Sequence, residues 1–340
     1  MTKKIEIDKT SGSMAFNRFE MQISQAVLLS IDLYTDLDFL LVMDYYDDIT
    51  LFNDSKNPNT VCYYQMKTSD DSFTFNTIIT NDWINKLYEH VFDDKYVIKE
   101  LGLITNCPIR ETETPKKIYR EEKTSFSSFN ENTIKKIKED IAKKFDIPEK
   151  DVDLSNFFHM RTNLTINKHQ ELAENELANF LHKDYPKITY DSIKTIYQSL
   201  VMLLTQKQKY ENLGDNESFQ KVKKYKGVSK EDIESIIKHT LLINILPFDV
   251  LDKALSFSEE EKPYAALEHS RILADSNAKI EGFYDMVEKL DYLIHENPTN
   301  QNESFKEYID RINNLLPPHP LFNKTYTALL ATCIYINNQE

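Results

Sequence analysis

The hydrophobic period of the chain changes after residue 35, and that change limits the possible folds more than any other feature. Over residues 14–35, Phe16, Phe19, Ile23, Ala26, Val27 and Ser30 recur at helical spacing. Asp38–Tyr46 (DFLLVMDYY) is then a short apolar run, the mark of a buried strand. Asp47–Phe52 (DDITLF) alternates with period two. The loop NDSKNPN leads to Val61–Thr68 (VCYYQMKT), rich in aromatic and β-branched residues. Trp83–Phe92 reads as a helix, and Leu101–Cys107 as a further strand closed by Pro108. The order helix, three strands, helix, strand predicts an α/β (α+β) core with a mixed sheet inside the first 110 residues.

Beyond Pro108 the sequence carries little strand signal. Helices are predicted over 131–145, 168–183, 190–210, 229–242, 263–296 and 319–337, which makes the C-terminal region all-α. The last of these carries a broad apolar stripe: Leu321, Phe322, Tyr326, Leu329, Leu330, Cys333 and Ile334. Such a stripe is either internal core or a partner surface.

Several function classes are excluded. The five glycines are scattered, with no two within ten residues, which removes the P-loop and the GxGxxG dinucleotide fingerprint. The three cysteines and eight histidines form neither a disulfide framework nor a zinc-ligand pattern. The N-terminal MTKKIEIDKTSGSM has charges where a signal peptide needs an apolar stretch, and no apolar run is long enough to span a bilayer. A cytoplasmic protein with no membrane association is expected. Net charge is −14, so nucleic acid is not bound by overall basicity. The charge is uneven. Residues 1–110 hold 10 basic and 17 acidic side chains, residues 111–239 hold 23 and 22, and residues 240–340 hold 8 and 16. The lysines of the middle segment, at 116–117, 135–136, 143–144 and 221–226, are either solvated helix faces or a rim for a phosphate backbone.

The chemistry concentrates on the second and third strands. Val61, Tyr63, Gln65 and Lys67 share one strand face, so Gln65 and Lys67 project side by side. If the two strands pair, a carboxylate from Asp47 or Asp48 lies beside them. A carboxylate, a neutral oxygen and a lysine at strand ends suit Mg²⁺-assisted phosphoryl chemistry: hard oxygens hold the ion, and lysine offsets developing charge. Glu20, set among Phe16, Phe19 and Ile23, is a further carboxylate. The plainer alternatives are a polar turn for the aspartates, edge protection for Lys67 and a salt bridge for Glu20.

An acid on the first helix, Asp-Asp-Ile on a strand and Gln-x-Lys on the next together resemble the PD-(D/E)xK nuclease superfamily. More closely, the chain resembles the antiphage-defence endonuclease domain of CBASS effectors and of HerA-associated defence pairs. The segments that carry this are SGSMAFNRFEMQ (11–22), VMDYYDDITLF (42–52), YYQMKTS (63–69) and LGLITN (101–106). NFFHMRTNLTI (156–166) and IYQSLVMLLTQKQ (196–208) resemble the helical part of the same domain. The likeness covers roughly residues 11–245.

That resemblance implies a restriction-endonuclease-like core over 1–110, a helical part of the nuclease domain over 111–245, and a helical oligomerisation or docking region over 246–340. Carried over residue by residue, Glu20 is the helix-one acid and Gln22 its companion. Asp48 is the metal-binding aspartate, with Asp47 the other choice, and Lys67 is the catalytic lysine. Gln65 stands where the superfamily usually has Asp or Glu, which implies weaker or singly occupied Mg²⁺ binding at Glu20, Asp48 and Gln65. Mn²⁺ is the expected substitute ion. The substrate implied is double-stranded DNA. The region after 245 is too short for a cyclic-oligonucleotide sensor, so the resemblance implies a homo-oligomer controlled by a separate HerA-type hexameric ATPase. The alternatives are a non-catalytic adaptor on a degenerate nuclease fold and a nuclease acting on RNA.

Overall fold

A computed structural model describes residues 11–35, 38–114, 116–186, 188–214, 216–242, 245–278 and 282–339. The strands are β1 (Leu40–Met43), β2 (Ile49–Phe52), β3 (Thr60–Lys67), β4 (Phe73–Thr74), β5 (Val97–Thr105), β6 (Ile109–Arg110), β7 (Ile118–Tyr119), β8 (Lys123–Ser125), β9 (Phe157–Arg161) and β10 (Gly227–Ser229). The helices of the first part are α1 (Ser11–Leu33), α2 (Phe75–Thr80), α3 (Trp83–Tyr88), α4 (Glu131–Phe145), α5 (His169–Asp184), α6 (Tyr190–Gln208), α7 (Phe219–Lys226) and α8 (Lys230–Leu242). Then follow α9 (Phe248–Leu255), α10 (Lys262–Ala278), α11 (Phe283–Glu296), α12 (Phe305–Leu315) and α13 (Lys324–Gln339).

Seven strands make one mixed sheet in the order β10-β1-β2-β3-β5-β9-β8. The β1–β2–β3 meander is antiparallel, whereas β3, β5 and β9 run parallel. A small second sheet joins β4, β6 and β7. On one face of the large sheet, Val42, Phe52, Val61 and Tyr63 share a core with Phe75 of α2, Leu87 of α3, Ile137 of α4 and Phe157 of β9. Leu41, Met43, Ile49 and Tyr64, of opposite parity, are buried too. Both faces are therefore covered, which explains why β1 reads as an unbroken apolar run. Helix α1 packs on α5 and α6, and α6 lies against β1.

The mixed α/β core and the helical C-terminal region agree with the expectation from periodicity. The scarcity of strands after Pro108 does not hold: β8, β9 and β10 complete the large sheet, and β6 and β7 the small one. NFFHMR, read as part of a helical stretch, contains β9. These strands were missed because two to five residues show no resolvable period; pairing with strands already in place makes them.

The chain divides into two compact units, up to Ile233 and from Glu234 onward. The second unit buries Leu290, Tyr308, Ile312, Tyr326, Leu330 and Ile334 in a core of its own. The apolar stripe of the last helix is thus internal, apart from Leu321, which is exposed. The predicted 263–296 helix is two helices, with Gly282 before α11 at φ 85°. No helix among the described residues is long and apolar enough to cross a membrane.

Gly227 ends α7 and begins β10. A Cβ there would lie 2.6 Å from the Lys223 carbonyl oxygen and 2.7 Å from Leu40 Cδ1. Gly227→Ala is therefore expected to cost about 1–3 kcal/mol by overpacking. The measurement is the thermal midpoint, and an unchanged midpoint would contradict this close approach.

Candidate active site

The β2–β3 register places Ile49 opposite Tyr64 and Thr50 opposite Tyr63. Asp48, one residue before β2, consequently meets the end of β3. Its Oδ2 accepts the Met66 N–H at 2.6 Å and lies 3.6 Å from Lys67 Nζ. The two side chains are only 21% and 24% exposed. Burial pushes the Asp48 carboxyl above its usual range. Lys67 and the Met66 N–H pull the other way, and Asp47 and Asp44 add to the rise. Burial likewise lowers the Lys67 ammonium, against the attraction of Asp48 and Asp47. Lys67 Nζ also sits 5.9 Å over the Trp83 ring. The pair is thus partly desolvated, where each charge interacts strongly with whatever enters the site.

Asp47 is committed elsewhere. Its Oδ2 is 3.2 Å from His90 Nε2, and its Oδ1 accepts the Asp48 N–H at 2.9 Å. His90 stacks on Tyr63 with centroids 3.8 Å apart and planes 5° from parallel. Nothing in the sequence around residue 90 marks this partnership, which depends on the turn after α3.

Gln65 is 5% exposed, and its Oε1 is buried with no hydrogen-bond partner. An unpartnered buried acceptor is costly unless another group uses it. A neutral oxygen and the Asp48 carboxylate at one strand end are the kind of oxygen donors that fit a hard divalent cation, with the Lys67 ammonium next to the carboxylate. Among the described residues, no three His, Cys, Asp or Glu side chains converge as a metal cluster. A cation held here would therefore need the glutamine oxygen as well as the carboxylate.

Glu20 stands apart. On α1 it lines a cavity of about 360 Å³ together with Phe16, Phe19, Ser24, Asp44 and Tyr197. Among the described residues no hydrogen bond or ion pair joins it to Asp48. Gln22 serves the helices: its Oε1 accepts from Gln208 Nε2 at 2.8 Å, tying α1 to α6. Asp44, which sequence reading passed over, has φ 49° at the turn after β1, and its N–H donates to the Asp48 carbonyl at 3.3 Å.

Most of the middle-segment lysines have partners. Lys136 pairs with Glu113, Lys144 with Asp82 and Lys221 with Glu217, and Lys223 donates to the Ser55 carbonyl at 2.6 Å. Exposed pairs of this kind are weak, so a phosphate backbone competes for them at little cost.

Residues 10–208 match the family described as Cap4, dsDNA endonuclease domain. The chain belongs to this family. Like other members of the Cap4 family, it is a DNA endonuclease, and its nuclease domain implies a divalent cation. The family resemblance read from Glu20, Asp48, Gln65 and Lys67 is therefore correct, and all four lie inside the matched segment. The Cap4-type chain is also similar to the Lamassu protein LmuA of Bacillus cereus (strain VD014). The two are 28% identical over 265 residues, which is 75% of this chain and 73% of that protein. No solved structure matches it.

Proposed function

We propose that this Cap4-type chain is the nuclease effector of a bacterial antiphage defence system, working in the cytoplasm on double-stranded DNA with Mg²⁺, or Mn²⁺ in its place. Asp48, Gln65 and Glu20 are the proposed metal-holding oxygens, and Lys67 the catalytic lysine. The observation that carries this reading is the partly buried Asp48–Lys67 contact beside the unpartnered Gln65 Oε1, inside the family-matched segment. When bound, the cation supplies a more acidic water and neutralises charge on the phosphodiester. Lys67 orients the attacking water or stabilises charge developing on the phosphoryl oxygens. Asp48 is kept in place for this by the Met66 N–H, which accounts for one of its lone pairs.

Asp47, held by His90, is assigned a supporting part. Asp47→Asn is expected to lower cleavage by less than about tenfold, where a lost transition-state contact costs about 10²-fold. A loss as deep as that of Asp48→Ala would move the metal ligand to Asp47.

The net charge of −14 opposes binding of DNA by this chain alone. We infer that a partner brings it to DNA, with a HerA-type hexameric ATPase as the expected partner class and a homo-oligomer as the working form. The experiment is plasmid cleavage with Mg²⁺ or Mn²⁺ at physiological salt, with and without a HerA-type hexameric ATPase. Weak cleavage alone and strong cleavage with the partner is the expected result. Full digestion by the isolated protein would overturn the gating. Absence of cleavage under every condition, together with no cation-dependent thermal shift, would overturn the assignment of the site.

A further inference from the structure

Lys226 lies outside the segment that matches the Cap4 family, and the reaction described above does not use it. It is the last residue of α7 and only 4% exposed. Its Nζ donates to two main-chain carbonyls, those of Asp44 and Gln208, each at 3.0 Å. Burial lowers its ammonium, while Asp44 and Glu211 act to raise it. Among the described residues no carboxylate lies within ion-pair distance of Nζ. A buried ammonium that rests on carbonyls is costly, so its two contacts matter.

Those contacts join the two halves of the site. Asp44 begins the turn that delivers Asp48, and its own N–H is bonded to the Asp48 carbonyl. Gln208 ends α6, and its side chain is bonded to Gln22 of α1, two residues from Glu20. A set of hydrogen bonds, buried from Gln22 through Gln208 to Lys226 and reaching the surface at Asp44, therefore runs from α1 to the Asp48 turn. Asp44 also lines the same cavity as Glu20. Helix α1 itself packs chiefly on α5 and α6.

We propose that Lys226 is a positioning residue: its ammonium clamps the Asp48 turn to the α1–α6 pair, so that carboxylates from both sides serve one cation. This rests on the reading of Asp48 and Glu20 given under the proposed function. Two carboxylates brought towards each other repel, and the ammonium held on the Asp44 and Gln208 carbonyls is a fixed positive charge that opposes this. The Arg alternative has a longer reach and five donors, so it retains a cationic bridge with altered geometry.

The test uses the full chain with Lys226→Met, Lys226→Arg, Gln22→Leu and Asp48→Ala. Mn²⁺ binding to the protein alone is read by electron paramagnetic resonance. Cleavage is read as the cation concentration for half-maximal rate and as the maximal rate. Lys226→Met keeps the aliphatic stem. It is expected to weaken Mn²⁺ binding and raise the half-maximal cation concentration at least about tenfold, a change of about 1.4 kcal/mol. Lys226→Arg is expected to recover most of that loss, which a purely structural role would not require. Gln22→Leu cuts the same chain at its other end and is expected to shift the cation requirement in the same direction. If Lys226→Met fails to fold, Gln22→Leu still decides the matter. Wild-type Mn²⁺ binding in a folded Lys226→Met, or in Gln22→Leu when Lys226→Met does not fold, overturns the clamp. If Asp48→Ala loses Mn²⁺ while those variants keep it, the clamp alone fails. If Asp48→Ala binds Mn²⁺ like the wild type, the site assignment fails and the clamp with it.

Discussion

Asp48→Ala and Lys67→Ala are each expected to lower DNA cleavage about 10²-fold or more. Asp48 sits in contact with Lys67 and takes the Met66 N–H, so its carboxylate is aimed and partly desolvated before any ligand arrives. Removing it deletes a hard-oxygen donor and leaves Lys67 without its counter-charge. Removing Lys67 leaves Asp48 in place but takes away the ammonium proposed to act on developing phosphoryl charge. The two variants should differ in one respect. Asp48→Ala should also abolish the thermal shift caused by Mg²⁺ or Mn²⁺, whereas Lys67→Ala should keep it. The effects should not add if, as proposed, both residues act on the same transition state. Cleavage within about threefold of wild type in either variant would remove that residue from the reaction. The double variant falling far below both singles would show that they act separately.

A fall in folding stability on mild acidification is expected from His159. The ring lies in the middle of β9, fully buried. The Thr105 hydroxyl donates its one proton to the Cys107 carbonyl at 2.6 Å, so His159 Nε2 must carry the hydrogen in its 2.8 Å contact with Thr105 Oγ1. Nδ1 is then a bare acceptor with no partner. Burial, reinforced by the nearby Arg161, pushes the His159 pKa down to about 4, with only Glu121 opposing. In the unfolded chain the group titrates near its ordinary value of about 6.5. The stability from a neutral buried ring is therefore complete above about pH 6.5 and is lost as pH falls towards about 4. The slope is roughly 1.4 kcal/mol per pH unit, and the total about 3 kcal/mol. His159→Gln keeps a donor for Thr105 and removes the titration. Urea unfolding of both proteins across this range isolates the term. A wild-type curve parallel to that of the variant would show that His159 is not held neutral by the fold.

How much could be read beforehand depended on what each feature requires. Strands β1, β2, β3 and β5 were legible because their apolar and alternating runs are long enough to show a period. Helix α4 was predicted to the residue, with Asn130 capping it and three buried isoleucine and threonine positions on one face. In contrast, β8, β9 and β10 were read as helix or loop. Ser229 pairs with Leu40 across some 190 residues of chain, and no local pattern carries such a pairing. The C-terminal stripe illustrates the same limit from the other side. Periodicity shows that Tyr326, Leu330 and Ile334 share a face, but not whether that face meets its own core or a partner; the second unit buries it.

The sequence by itself determined the reaction class. Glu20, the Asp-Asp-Ile turn and Gln-x-Lys stand in the order that resembles the nuclease family, and that resemblance, rather than the identity of any one side chain, carried the reaction class. What the tertiary structure alone decided is which of these groups meet. A one-residue slip of register would exchange Asp47 and Asp48, and both are aspartates, so composition cannot separate them. The β2–β3 pairing and the Met66 N–H put Asp48 on Lys67, while the turn after α3 supplies His90 for Asp47. The Lys226 bridge to Asp44 and Gln208 likewise exists only once β10 has joined the sheet beside β1. Side-chain chemistry is local and is written in the residue names; proximity between distant residues is a property of the packed chain.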